Sequence, residues 1–201
     1  MARLFLRVAR LPLVVRGLEN LPAAGSCIVA ANHASYADSM LLLATLPRHF
    51  SFVAKSELLT SFIARLYLRR LGTEFVERYD LQRGAQDAAR LARAARAGRS
   101  LIFYPEGTFM REAGLLPFRM GAFAIAAQAG VPVVPVVIRG TRSMLRDGSW
   151  FPRRVPLSVV VGRPIMPDGG EWAAAVRLRD AARAEILRGC GEPDRDKAPG
   201  D

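Results

Sequence analysis

Two stretches of this sequence carry polar side chains at spacings that can do chemistry, and each follows a short apolar run. The first is Asn32-His33-Ala34-Ser35-Tyr36-Ala37-Asp38. With a strand ending near Ala31 and a helix starting near Ser35, Asp38 falls in the first helical turn and folds back toward His33, where the helix dipole favours its charge. A carboxylate bonded to one ring nitrogen fixes the tautomer whose other nitrogen accepts a proton, so the pair reads as a general base and its orienter. No nucleophile stands beside it. The same spacing also suits a capping aspartate next to a satisfied loop histidine. The second stretch is Tyr104-Pro105-Glu106-Gly107-Thr108, followed by Phe109, Met110 and Arg111. The proline fixes the exit from a strand and Gly107 admits a ligand close to the backbone, while Glu106, Thr108 and Arg111 offer an acceptor, a hydroxyl and a cation. Such a set suits a phosphorylated polyol, and a solvated turn is the plain alternative.

Loops of this kind need a scaffold, and the alternation of β-type and α-type patterns supplies one. Ser26 to Ala31 is an apolar run fit for a strand buried on both faces. A helical cluster over Ser39 to Leu46 follows, then a strand over His49 to Ala54, a helix over Leu58 to Leu71 and a strand over Gly72 to Val76. Gln82 to Ala97, rich in alanine and arginine, reads as a helix ending at Gly98, a residue suited to a left-handed cap. Strands over Ser100 to Tyr104, Val133 to Ile138 and Val155 to Val161 alternate with helices over Phe118 to Ala129 and Trp172 to Leu187. The pattern predicts one α/β domain with a largely parallel central sheet flanked by helices. Ligands of open α/β sheets bind beyond the strand C-termini, and both polar loops are expected there. The division predicted is a basic amphipathic segment over 1–20, a domain over 21–188 and a frayed tail over 189–201.

The composition narrows the chemistry further. At 201 residues, 51% hydrophobic and 23% charged, the chain is long enough to close a core without metal or disulfide staples. Cys27 and Cys190 lie far apart and outside any paired spacing, and neither is expected to be catalytic. With His33 and His49 as the only histidines, a multi-histidine metal site is excluded. A net charge of +11 from 29 basic and 18 acidic residues predicts anionic partners. Lys55 and Lys197 are the only lysines, so an arginine-rich genome explains the same excess. The arginines are scattered without interleaved aromatics, so nucleic acid is not expected as a partner, whereas anionic lipid surfaces and phosphorylated substrates fit.

The longest apolar stretch, Gly121 to Ile138, is broken by Gly130, Pro132 and Pro135 and reads as helix, turn and strand rather than a membrane span. Over Met1 to Val15, Arg3, Arg7 and Arg10 fall on one helical stripe and Leu4, Val8 and Leu11 on another. This predicts a helix that lies on a membrane surface or packs its apolar stripe on the domain. The arginines deny the uninterrupted apolar core of a signal peptide. The chain begins close to its first polar loop, so an upstream membrane helix or a fused domain is compatible with it.

Four ordered blocks resemble the glycerolipid acyltransferase family, whose best-known members are the lysophosphatidate acyltransferases. Asn32 to Asp38 is similar to the family's His-x4-Asp block, and Gly72 to Arg78 to its second block, in which an arginine follows an aromatic strand. Tyr104 to Thr108 matches its Glu-Gly-Thr block, with Leu116-Pro117-Phe118 and Gly121-Ala122-Phe123 repeating the downstream pattern. Val131 to Val136, with paired prolines, looks like the fourth. The resemblance runs from about Ile28 to Pro164. It departs at Phe109, where many members carry an arginine, and Arg111 is expected to supply that charge.

The resemblance implies a glycerol-phosphate acyltransferase-like fold and transfer of an acyl group from a coenzyme A or carrier-protein thioester to a lysophospholipid hydroxyl. 1-Acyl-glycerol 3-phosphate is the leading acceptor, with glycerol 3-phosphate and other lyso-lipids as alternatives. It implies His33 and Asp38 as catalytic residues and Arg78, Glu106, Gly107, Thr108 and Arg111 as the acceptor site. No cofactor or metal is expected beyond the thioester co-substrate, because the thioester is already activated. Backbone amides near Gly107 or in the helix after His33 are the expected oxyanion donors, and Lys55 is a candidate contact for anionic headgroups. Leu58, Leu59, Phe62, Ile63 and Leu66, flanked by Arg65, Arg69 and Arg70, either pack in the core or meet lipid. The expected location is the cytoplasmic face of a membrane, held peripherally. A hydrolase using the same histidine to activate water is the rival reading, and no G-x-S-x-G elbow supports a serine hydrolase.

Overall fold

A computed structural model describes residues 11–47, 50–57, 66, 72–77, 80–145 and 152–196. Seven strands form one sheet: β1 (Leu13–Arg16), β2 (Ile28–Ala31), β3 (Ser51–Lys55), β4 (Glu74–Val76), β5 (Leu101–Phe103), β6 (Val133–Arg139) and β7 (Leu157–Val161). Their spatial order is β1-β7-β6-β2-β5-β3-β4. Strands β6, β2, β5, β3 and β4 run parallel, whereas β7 pairs antiparallel with β6 and parallel with β1, so β1 and β7 run against the other five.

The described helices of four residues or more are α1 (Ala37–Thr45), α2 (Leu81–Arg96), α3 (Gly121–Ala129), α4 (Thr141–Met144) and α5 (Trp172–Cys190). Asp80 caps α2, its Oδ1 accepting from the Gln82 and Arg83 amides at 2.9 and 3.0 Å. Beyond the other end, Gly98 takes a φ of 96°, open to glycine and costly to a residue with a Cβ, as the sequence predicts.

The period of two along β2 divides its side chains between two cores. Ile28 and Ala30 join Leu91, Phe123, Leu178 and Ile186 beneath α2, α3 and α5, while Val29 and Ala31 join Leu42, Phe52, Ile138 and Val159 on the face covered by α1. All four β2 side chains are fully buried, which an apolar run flanked on both faces predicts. Pro135 stands inside β6 without breaking the sheet. Its carbonyl accepts from the Gly162 amide at 2.8 Å, so its donorless nitrogen faces the side on which β7 has already ended at Val161.

Two expectations need correction. Residues 13–15, assigned to a basic helix, lie in β1, with Leu13 paired to Leu157 and Val15 to Val159. Leu13 and Val15 pack on the core and Val14 is exposed, a period of two that two turns of apparent helical pattern conceal. The tail expected to fray is ordered from Gly191 to Asp196 by ion pairs and backbone bonds to the loop after Glu106. The expected strand residue His49, the acceptor residue Arg78 and nearly all of the expected helix Leu58 to Leu71 lie outside the described residues. Leu66 from that helix is helical and exposed.

Candidate active site

Strands β2, β5 and β3 run parallel, so the loops after β2 and β5 and the end of β3 at Lys55 share one edge of the sheet. Asn32 decides where β2 stops. Its side-chain Nδ2 donates to the Ile138 carbonyl at 2.9 Å and its Oδ1 accepts from the Ile138 amide at 2.8 Å, so the side chain continues the ladder to β6. The backbone is thereby released, and His33 begins the loop.

Asp38 sits in the first turn of α1, fully buried, where the helix N-terminus favours a negative charge. Its Oδ2 accepts from His33 Nδ1 at 2.9 Å, from the Ala34 amide at 2.7 Å and from the Ser35 amide at 2.9 Å. A carboxylate only accepts, so the proton is assigned to Nδ1 and the lone pair to Nε2. Two aromatic rings hold the imidazole plane. Tyr104 stacks on it at 4.1 Å between centroids and 15° between planes, and Phe109 meets it edge-on at 4.7 Å. The Tyr104 hydroxyl is 3.2 Å from Ser39 Oγ, so α1 anchors both the carboxylate behind the ring and the phenol on its face.

Glu106 ties the second loop to the first. Its Oε1 accepts from the His33 amide at 2.6 Å and its Oε2 from the Leu116 amide at 2.9 Å. Only 4% of the residue is exposed. Burial pushes the carboxyl up to about 7, against the two amide bonds, with repulsion from Glu192 and Asp38 adding to the rise. Both oxygens are therefore engaged with backbone that positions His33.

Because this group binds its proton more tightly in the folded chain, it favours folding fully below about 4.5, and that contribution is lost as pH rises through about 7. We expect folding stability to fall between about pH 5 and pH 8 by an amount on the order of 3 kcal/mol that Glu106→Gln removes. The glutamine also places an amide against one of two N–H donors, at a pH-independent cost of about 1–3 kcal/mol. Urea unfolding at the two pH values checks this, and equal slopes for parent and variant would refute it.

Gly107 takes a φ of 75° and its amide closes a turn on the Tyr104 carbonyl at 2.9 Å. Thr108 and Arg111 are exposed on the outer part of the loop. The structure thus brings together His33, Asp38 and Glu106, with Gly107 shaping the turn and Thr108 and Arg111 at its rim. Six amides of these two loops are engaged within the protein: His33 with Glu106, Ala34 and Ser35 with Asp38, Ala37 with Ser35 Oγ, Asp38 with the Ser35 carbonyl, and Gly107 with Tyr104. Both cysteines are buried, and burial pushes the Cys190 thiol up, away from nucleophilic character. Sequence reasoning missed the ring contacts of Tyr104 and Phe109, whose one visible signal was an aromatic residue on each side of the Glu-Gly-Thr block.

The acyltransferase family model matches residues 12–139, a span that contains both loops and their strands. The chain belongs to the acyltransferase family. Among its relatives, the 1-acyl-sn-glycerol-3-phosphate acyltransferase BAT2, chloroplastic, of Brassica napus is 32% identical over 174 residues, covering 86% of this chain and 49% of that protein. The 1-acyl-sn-glycerol-3-phosphate acyltransferase beta of Homo sapiens is 38% identical over 163 residues, covering 81% and 58%. The chain thus spans about half the length of the curated relatives it matches. The crystal structure of the 1-acyl-sn-glycerophosphate (LPA) acyltransferase PlsC from Thermotoga maritima superposes with a TM-score of 0.75 at 28% identity, over 94% of this chain and 76% of that chain. The expected α/β fold and family are borne out.

Proposed function

We propose that the chain transfers an acyl group from a coenzyme A or carrier-protein thioester to the free hydroxyl of 1-acyl-glycerol 3-phosphate, giving phosphatidic acid. The observation that carries this is the 2.9 Å contact of His33 Nδ1 with a buried carboxylate that two amides also hold. An alcohol does not ionise at neutral pH, and its attack needs a base. Nε2 takes the hydroxyl proton as the oxygen adds to the thioester carbonyl, and Asp38 steadies the imidazolium that forms. The tetrahedral adduct then breaks its C–S bond, and the same proton passes to the leaving sulfur. The thioester supplies the activation, so no cofactor or metal enters. Arg111 and Thr108 at the loop rim, with Arg78, are the groups we assign to the acceptor phosphate, while Glu106 serves that site by fixing its backbone.

The deciding experiment incubates the purified protein with labelled acyl-CoA and a panel of lyso-lipids and identifies products by mass. A diacyl glycerol phosphate is expected. Free fatty acid released without any acceptor would instead show a hydrolase.

The acceptor resides in bilayers, and no helix among the described residues is long and apolar enough to cross one. Peripheral attachment at the cytoplasmic face fits the net charge of +11, with anionic headgroups contributing about 1 kcal/mol per nearby basic residue. We expect the protein to sediment with anionic vesicles at low salt, to be partly released at high salt and to bind neutral vesicles poorly. Removal of residues 1–10, which spares β1, should weaken sedimentation more than turnover on a detergent-dispersed acceptor. Salt-insensitive binding to both vesicle types would return the arginine excess to codon preference.

A further inference from the structure

Gly191 ends α5 with a φ of 73°, and the chain turns there to lie along the loop that follows Glu106. Glu192 is the first contact. Its Oε1 accepts from Arg142 Nε at 2.8 Å and its Oε2 from Arg142 Nη2 and the Gly114 amide, both at 2.7 Å. Arg142 belongs to α4, directly beyond β6, and its Nη1 also donates to the Met110 and Arg111 carbonyls. The Leu115 amide donates to the Pro193 carbonyl at 2.8 Å, and the Arg195 amide donates to the Leu115 carbonyl at 3.0 Å, which pairs the tail with the loop as a short parallel bridge. Arg183 of α5 fixes the other side of the tail through Asp194 at 2.5 Å.

This arrangement leads to the base in three steps. Leu115 is held by the tail, Leu116 gives its amide to Glu106, and Glu106 accepts the His33 amide. The loop crosses from Met110 to Leu115 outside any helix or strand longer than a single bridge, and its backbone bonds to Arg142, Glu192, Pro193 and Arg195 are what register it.

We propose that residues 191–196 form a positioning strap for the active site, acting chiefly through Glu192, which sets where the second loop offers the Leu116 amide to Glu106 and so where Glu106 holds His33. The inference rests on the acyl-transfer reading for its consequence in turnover. Glu192 touches no reacting atom and is a positioning residue. Its repulsion of Glu106, part of what raises that carboxyl, agrees with their closeness.

The test compares Glu192→Ala and Glu192→Gln in the full chain, the glutamine preserving shape should the alanine variant not fold. Amide hydrogen exchange at Gly114, Leu116 and His33 is followed by NMR, beside kcat and KM for acyl-CoA. We expect exchange at Leu116 and His33 to speed at least about tenfold, and kcat to fall at least about tenfold with KM for acyl-CoA within about twofold, because the base is displaced while the loop that loosens carries no group assigned to the thioester. Glu112→Gln, which removes only an exposed ion pair with Arg195, should change neither. Faster exchange confined to Gly114, with Leu116, His33 and kcat at parental values, would overturn the proposal and leave the tail a local fastener. If the parent chain transfers no acyl group to any acceptor, the functional reading fails, and exchange at Leu116 and His33 still decides the strap.

Discussion

Replacing His33 with alanine is expected to leave the chain folded and to lower acyl transfer at least about a hundredfold, the low end of what a general base supplies. Folding survives because the imidazole makes one hydrogen bond, to Asp38, and that carboxylate keeps the Ala34 and Ser35 amides when the ring is gone. Loss of the contacts with Tyr104 and Phe109 costs about 1–3 kcal/mol, within the reserve of an ordinary domain. The Glu106 bond is to the His33 backbone and is unaffected by the substitution. Turnover falls because no other histidine lies in either polar loop, and both oxygens of the neighbouring Glu106 carboxyl are held by the His33 and Leu116 amides. Initial rates with labelled acyl-CoA, set beside the thermal unfolding curve, check both halves. A folded variant with undiminished turnover would sink the mechanism.

What the sequence disclosed about this site was its local part. His33 and Asp38 are five residues apart on one strand-to-helix turn, so their pairing at 2.9 Å follows from the length of the loop and the position of α1. The partner of Glu106 is 73 residues away, and nothing in Tyr104 to Arg111 says that its carboxylate reaches the His33 amide rather than a substrate. Glu192 and Gly114 are 78 residues apart, so a tail of glycine, proline and charge looked free where long-range ion pairs hold it. The fold divides in the same way. Strands β2 and β6, buried on both faces, are visible as apolar runs, whereas β1 alternates half-buried and exposed residues over one short segment and joins the sheet through β7. Periodicity also carries no direction, so the reversal of β7 against β6 was not to be read from it.

Asp38 offers the sharper test of whether this constellation is catalytic or a well-made helix cap, because the two roles respond differently to two substitutions. In Asp38→Asn the amide oxygen takes the place of Oδ2 and still accepts from the Ala34 and Ser35 amides, so the cap is kept and the charge alone is removed. The neutral group no longer steadies the imidazolium, although its oxygen still accepts from Nδ1–H, and turnover should fall by about 10² to 10⁴, with the unfolding temperature little changed. In Asp38→Ala the two amides lose their acceptor as well, and stability drops by about 1–3 kcal/mol for each one left buried and unpaired, together with activity. A cap-only role predicts the reverse pattern: full turnover in the asparagine variant, and in the alanine variant a loss of activity no larger than its loss of folded protein. Rates normalised to the folded fraction at each temperature separate the two, and parental turnover in the asparagine variant would remove Asp38 from the chemistry.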